Sequence, residues 1–189
     1  MTRPSCKDRI LDAADAVASE FGATKLTLDA VAERAEVSKG GVLYHFPTKE
    51  ALLVGMVARH IEQARQRQAS CLASCTGPAA GLKVDILSTL ERTPENTRVS
   101  AALLAAVANE PKLLEPAIAF HAERFARLAG TGADEAFARK ALVPLAGDGL
   151  LFHELLQLSP FSVEQRKALV AALLKIAEEV CADESAHEA

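Results

Sequence analysis

The apolar positions of this chain recur at helical spacing almost from its start. Ile10, Leu11, Ala14, Val17, Ala18 and Phe21 form an i, i+3, i+4, i+7 stripe, which predicts a helix from Lys7 to Phe21 with Gly22 as its stop. Thr27 is placed to cap a second helix that ends near Glu36, and Ser38 to cap a third that Pro47 terminates. The short connection Ala35 to Val37 separates those two helices, so they must cross sharply. Thr48 starts a long fourth helix with Leu52, Leu53, Met56, Val57, His60, Ile61 and Ala64 on one side and a polar far half, Glu62 to Gln68.

The remaining pattern is helical throughout. Thr76-Gly77-Pro78 breaks the chain before a helix over Ala79 to Arg92, and Thr93-Pro94-Glu95-Asn96 breaks it again before an Ala/Leu-rich helix ending near Asn109. Pro111 suits the first turn of the next, which Gly130-Thr131-Gly132 stops. The segment from Ala133 to Leu158 carries Pro144 in its interior, where a ladder hydrogen bond is lost and a kink is expected. Ser162 and Gln165 make a capping box for a last helix reaching Ala182. No stretch alternates with period two for long. The fold class is therefore all-α: a three-helix helix-turn-helix unit over residues 1–50, then a helical bundle over 51–189, about nine helices in all.

Composition supports this and narrows the chemistry. Half of the 189 residues are hydrophobic but only 4% are aromatic, with no Trp, so Ala and Leu supply most of the apolar surface, a mixture that favours helices. No apolar run approaches the roughly 18 to 20 residues of a membrane span, and the start of the chain leads into a charged helix, so a cytoplasmic protein with no membrane partner is expected. Cys6, Cys71, Cys75 and Cys181 include no Cys-x-x-Cys pair and no His at zinc spacing, so neither a metal nor any other cofactor is indicated. Cys71 and Cys75, four residues apart, invite a redox reading, but the sequence offers only Arg65 and Arg67 to lower a thiol pKa. The formal net charge is −4, so any attraction to nucleic acid must be local.

Local chemistry of that kind is concentrated between Thr27 and Lys49. Thr27 and Ser38 begin helices whose free backbone amides favour anions. Lys49 stands in a first turn, where a cation opposes the helix dipole and an external phosphate would account for it. Two adjacent glycines, Gly40 and Gly41, and the pair Tyr44-His45 stand on the same exposed face as Lys39. The ordered run Thr27-Leu-Asp-Ala-Val-Ala-Glu-Arg-Ala-Glu-Val-Ser-Lys-Gly-Gly-Val-Leu-Tyr-His-Phe-Pro-Thr-Lys-Glu-Ala-Leu-Leu53 resembles the signature of TetR-family transcriptional regulators, and the resemblance extends over Lys7 to Val57. It implies a protein that is not an enzyme and that binds double-stranded operator DNA, with phosphate contacts from Thr27, Ser38, Tyr44, His45 and Lys49. It also implies that Lys39, Gly40 and Gly41 face base edges in the major groove, Lys39 being the candidate for direct readout. Residues 1–50 hold seven Lys/Arg against eight Asp/Glu, so bulk charge does not carry this reading.

A single half-site gives too little affinity, and the C-terminal helices suggest how two are joined. Leu169, Leu173, Ile176 and Val180 form one stripe on the last helix and Val170, Leu174, Ala177 and Cys181 a second, which calls for two apolar neighbours. With Leu150, Leu151 and Leu155 on the preceding helix, the stripe of Leu169, Leu173, Ile176 and Val180 is expected at a twofold homodimer interface, which the resemblance also implies. The middle helices are expected to enclose a site for a small, mostly apolar effector, lined by Leu103, Leu104, Val107, Phe120, His121, Phe125, Phe152 and His153, although the apolar members suit a plain helical core equally well. The effector would release a palindromic operator, making the regulator a repressor. The alternative is a helical protein-interaction or enzymatic bundle without sequence-specific DNA binding, but no His-Glu-x-x-His, nucleophile elbow or glycine-rich phosphate loop supports an enzyme.

Overall fold

Helix α1 (Cys6–Phe21) starts where Ser5 accepts from the Asp8 amide at 3.1 Å and the Asp8 carboxylate accepts from the Ser5 amide at 3.2 Å, a capping box one residue ahead of the expected start. It ends at Gly22, whose φ of 77° an L-side chain would resist. The computed structural model describes residues 5–108, 111–128 and 134–187, and among them the chain forms nine α-helices, two short 3-10 turns and no strand. After α1 come α2 (Leu28–Ala35), α3 (Lys39–His45), α4 (Lys49–Leu72), α5 (Ala80–Leu90), α6 (Pro94–Val107), α7 (Glu115–Ala126), α8 (Glu135–Leu155) and α9 (Val163–His187). The expected helix end near Asn109, the stop at Gly130-Thr131-Gly132 and the start at Ala133 lie outside the described residues.

Most caps act as their residue types dictate. Thr27 accepts from the Ala30 amide, Ser38 from Gly41, Thr48 from Ala51 and Ser162 from Gln165, whose side chain accepts from the Ser162 amide in return. Two expectations change. Thr93-Pro94-Glu95-Asn96 is the beginning of α6 and not a break ahead of it: Thr93 caps the Asn96 amide at 3.1 Å and Pro94 occupies the first turn, where its missing N–H costs nothing. Pro111 opens a 3-10 turn, Pro111–Leu114, and α7 follows only at Glu115. Pro144 lies within α8 and is fully buried.

The described helices belong to two compact units, Met1–Ile61 with Thr93–Ala119, and Glu62–Arg92 with Phe120–Ala189. In the first, Ile10, Leu11, Ala14 and Val17 of α1 pack with Val31, Val42, Phe46, Leu52 and Met56 and with Val99, Leu103 and Val107 of α6. Phe21, at the end of the α1 stripe, is exposed. Polar ties brace the same unit. Arg59 donates to Asp12 at 2.6 Å, to Asp15 and to the Leu11 carbonyl, joining α4 to α1, and Arg9 donates to the Ala35 carbonyl at 2.7 Å, a cation at the carbonyl end of α2. In the second unit Leu82, Ile86 and Leu90 of α5 pack with Val143 of α8 and Ala177 and Cys181 of α9.

The end of α2 stores backbone strain. Glu36 ends α2 in the left-handed region, φ 54° and ψ 45°, while the Val37 amide donates to the Ala32 carbonyl at 3.1 Å, the closing bond of a Schellman motif that ordinarily carries glycine. An L-residue there costs about 1–2 kcal/mol, and glycine's extra unfolded-chain entropy returns about 0.5–1 of it. Glu36→Gly is therefore expected to stabilise the protein by about 1 kcal/mol, read as a higher urea midpoint with an unchanged slope; a lower midpoint would contradict the strain.

Candidate nucleic-acid interface

The turn at Glu36 and the buried side of α3 together aim its exposed side outward. Val42 is fully buried and Phe46, at the end of α3, is 3% exposed. Gly55 of α4 receives the Phe46 ring: a Cβ at Gly55 would stand 2.6 Å from Phe46 Cε1, so the ring can lie flat on α4 only because residue 55 has no side chain. Once Val42 and Phe46 are fixed, the period of the helix puts Gly40 and Tyr44 on the opposite, solvent side, while Ser38 and Lys39 stand exposed at the helix's start. Tyr44 is 84% exposed, and its ring meets that of half-buried His45 edge-on at 5.0 Å between centroids.

The expected DNA-facing residues are thus largely presented on one surface, with Thr27, Ser38, Lys39, Gly40 and Tyr44 exposed and Gly41, His45 and Lys49 half-buried. Neither glycine serves the fold. A Cβ at Gly40 would meet only Ser38 Oγ at 3.9 Å, one at Gly41 Ser38 Oγ at 3.4 Å and Val37 Cβ at 3.7 Å, and neither residue has a positive φ. Each glycine nevertheless costs helix stability, about 0.5–1 kcal/mol in a helix interior relative to alanine.

Two carboxylates missed in the sequence reading share this surface. Lys39 Nζ lies 2.8 Å from one Asp29 carboxylate oxygen and 3.1 Å from the other, joining α3 to the first turn of α2. Both side chains are well exposed, so the pair contributes little stability but holds the lysine in place. Glu50 stands in the first turn of α4, and hydrogen bonds from its own backbone amide and from Thr48 hold its carboxyl below the ordinary value. The ten-residue offset between Asp29 and Lys39 gives no local spacing by which to anticipate their pairing. Asp29 and Glu50 do occupy helix first turns, where carboxylates are favoured on their own account.

The residues expected for effector and dimer contacts are divided between the two units. Phe120 and Phe125 are half-buried, with the Arg65 guanidinium 5.7 Å from the first ring centre and that of Arg124 5.6 Å from the second. His121, Phe152 and His153 are exposed. Leu103 and Val107 are buried in the first unit's core and Leu104 is half-buried. None of these eight lines the groove of about 500 Å³ that the second unit does contain, whose wall includes Gln68, Leu72, Leu82, Asp85, Arg127, Leu128 and Lys140. Of the expected interface set, Val180 is buried within its own chain at 4% exposure, and Leu150, Leu151 and Leu173 pack against that unit's core. Leu155 and Leu169 are half-buried and Ile176 is exposed. The open apolar face belongs instead to Leu142, Leu145, Phe152 and Leu156, spaced three, seven and four apart along α8 and its end.

Of the two thiols weighed for redox chemistry, Cys71 is half-buried and has its pKa raised, first by burial and then by Glu91 and Cys75. Among the described residues no helix is long and apolar enough to cross a membrane, and no cluster of His, Cys, Asp and Glu is arranged to hold a metal ion.

Comparison with known proteins identifies the architecture. Residues 10–56 match the family model for bacterial regulatory proteins of the tetR family, and residues 83–178 the tetracyclin repressor-like C-terminal domain. The chain is 44% identical over 61 residues to the HTH-type transcriptional repressor KstR of Rhodococcus jostii (strain RHA1), a stretch covering 32% of this chain and only 29% of that repressor. A transcriptional regulator of Rhodococcus sp. Rha1 superposes with a TM-score of 0.71 at 26% identity, over 93% of this chain and 96% of its own. The multidrug binding protein EbrR, complexed with ethidium, gives 0.63 at 25% identity, over 93% and 99%. With both parts of the chain matched, and with a capped, sharply turned helix pair presenting α3 to solvent, the protein belongs to the TetR family of bacterial transcriptional regulators.

Proposed function

We propose that this regulator is a cytoplasmic repressor whose residues 1–50 read a palindromic double-stranded operator and whose residues 51–189 dimerise and bind a small, mostly apolar effector that releases the DNA. The observation that carries the DNA contact is the pair Gly40-Gly41, which α3 bears at a cost to its own stability and for which the packing has no use. Their use lies outside the chain, where bare backbone lets the start of α3 approach a base edge. In this reading Lys39 exchanges its Asp29 carboxylate for a guanine acceptor. The amides of Thr27 and Ser38, the Tyr44 and His45 side chains and Lys49 hold phosphates. KstR is named a repressor and EbrR a binder of ethidium, and these names support repression and effector release here.

Pairing of two copies follows from the apolar stripe on α8. Leu142, Leu145, Phe152 and Leu156, with Ile176 of α9, leave a large apolar face uncovered, and a twofold axis would cover it with its own copy. Two half-sites about 34–36 Å apart, or a multiple of that, then engage together, and an effector that alters the spacing weakens both.

Three outcomes test this. In salt-controlled operator titrations, Lys39→Ala should lose discrimination between operator and random DNA, whereas Lys49→Ala should weaken both alike and reduce the salt slope by about 1; the reverse pattern would exchange their roles. Gly40→Ala should raise stability by about 0.5–1 kcal/mol while loosening operator binding, a pairing of effects expected only if the glycine serves an external contact. Light scattering of the wild-type chain should return twice its 20.0 kDa mass, and Leu145→Glu should return one copy; a wild-type monomer at micromolar concentration would exclude the dimer.

A further inference from the structure

The groove of the second unit holds a charge arrangement that its own fold leaves incomplete. Its volume of about 500 Å³ is that of a small-molecule site, and Leu72, Leu82 and Leu128 give it apolar walls from α4, α5 and the end of α7. Asp85 of α5 also lines it, with a side chain only 7% exposed. Arg127 and half-buried Lys140 also line it, Arg127 with a side chain 62% exposed.

Asp85 is held loosely. Arg124 Nε lies 3.5 Å from its Oδ1, the Arg127 guanidinium 3.6 Å, and Gln68 Nε2 donates at 3.4 Å, all at or beyond the outer limit of a good hydrogen bond. Arg124 shows what the same chemistry does when it closes. Its Nη1 donates to both carboxylate oxygens of Asp148, at 2.7 and 3.0 Å, while among the described residues its buried Nε and Nη2 have no hydrogen-bond partner of good geometry. Burial pushes the Asp85 carboxyl above its ordinary value by more than the two arginines lower it. A cluster kept only for stability would bring these groups together, because buried polar groups left unsatisfied cost about 1–3 kcal/mol each.

We infer that this groove binds an amphipathic carboxylate, its apolar body against Leu72, Leu82 and Leu128 and its carboxylate against Arg127 and Lys140. The sign follows from position. An entering head group meets the two cations that line the groove, whereas Asp85 has a nearly buried side chain and already faces two guanidiniums. Arg127 is the one of those two with an exposed side chain, and its planar fork suits a carboxylate bidentately. Drawn to the ligand, it leaves Asp85 to Arg124, which is also bound to Asp148. Occupancy is thereby registered on α5, α7 and α8 together.

This rests on the effector reading above and names the chemistry of the effector. The test uses the full-length chain in calorimetric titrations with decanoate, decanol and decyltrimethylammonium, each below its micellar concentration. Decanoate should bind at least about tenfold more tightly than either of the others, and Arg127→Gln and Lys140→Gln should each remove about that factor for decanoate alone. Leu72→Asn, at an exposed apolar position, should weaken binding of decanoate and decanol equally. Equal affinity for decanoate and decanol, preference for the ammonium, or decanoate binding indifferent to both cationic substitutions would overturn the inference. Operator titration of the same preparations separates the two levels: intact operator binding alongside any of those results leaves the repressor reading standing, whereas failure to bind operator under any condition removes that reading itself.

Discussion

The close seat of the Phe46 ring on Gly55 is the contact on which the DNA-facing surface depends. A helix as short as α3 has little stability of its own, so its direction comes from what it buries. Val42 and Phe46 are the buried residues that join it to the unit's core, Phe46 on α4, and burying a side chain as large as phenylalanine is worth about 1.5–3 kcal/mol. With that side fixed, helical geometry delivers Gly40 and Tyr44 to the opposite side, and Lys39 stands exposed at the helix start, where Asp29 holds it. The turn at Glu36 sets the crossing with α2, and its left-handed backbone shows that this crossing is held against a local preference.

The surface so presented has almost no net charge of its own. Asp29 occupies Lys39, and Glu50 sits at a helix start that would otherwise be open to an anion. Affinity for a polyanion must then come from helix amides and hydroxyls placed by geometry, with little counterion release from any one copy. As a DNA contact, which is the proposed reading, such a surface would discriminate against non-specific DNA, because bulk attraction is weak and only a site that satisfies each fixed donor gains from binding. In the proposed reading the burden of affinity falls on the joining of two copies, for which the uncovered stripe on α8 offers a surface.

The second unit manages charge in the opposite manner, by burying it. Arg124 and Asp148 close into a short bidentate pair, while Asp85 is held at arm's length by two arginines beside a groove. The contrast within one cluster separates a structural tie from a group kept in reserve for something else. Asp85, Arg124 and Asp148 come from three different helices and cannot be associated by sequence spacing. The only hint in the chain is a carboxylate set between apolar residues of a helix, as Asp85 is between Val84 and Ile86.

The sequence by itself determined the elements whose causes are local. Apolar periodicity, the hydroxyl caps at Thr27, Ser38, Thr48 and Ser162, and Gly22 at the end of α1 each act within one helical turn, and the ordered motif from Thr27 to Leu53 was sufficient for the family. Local reasoning failed where one residue type permits two roles, as at Thr93-Pro94, which serves equally as a break and as a capped helix start. Tertiary structure alone decided which apolar stripes are turned inward. Val180 and Leu173 go into their own unit's core and Leu142, Leu145 and Phe152 face out, because an amphipathic pattern specifies that a face must be covered and not by what. It decided equally that Lys39 is held by Asp29 and Phe46 by Gly55. Contacts between residues distant in the chain depend on how helices cross, and no spacing along the sequence encodes that crossing.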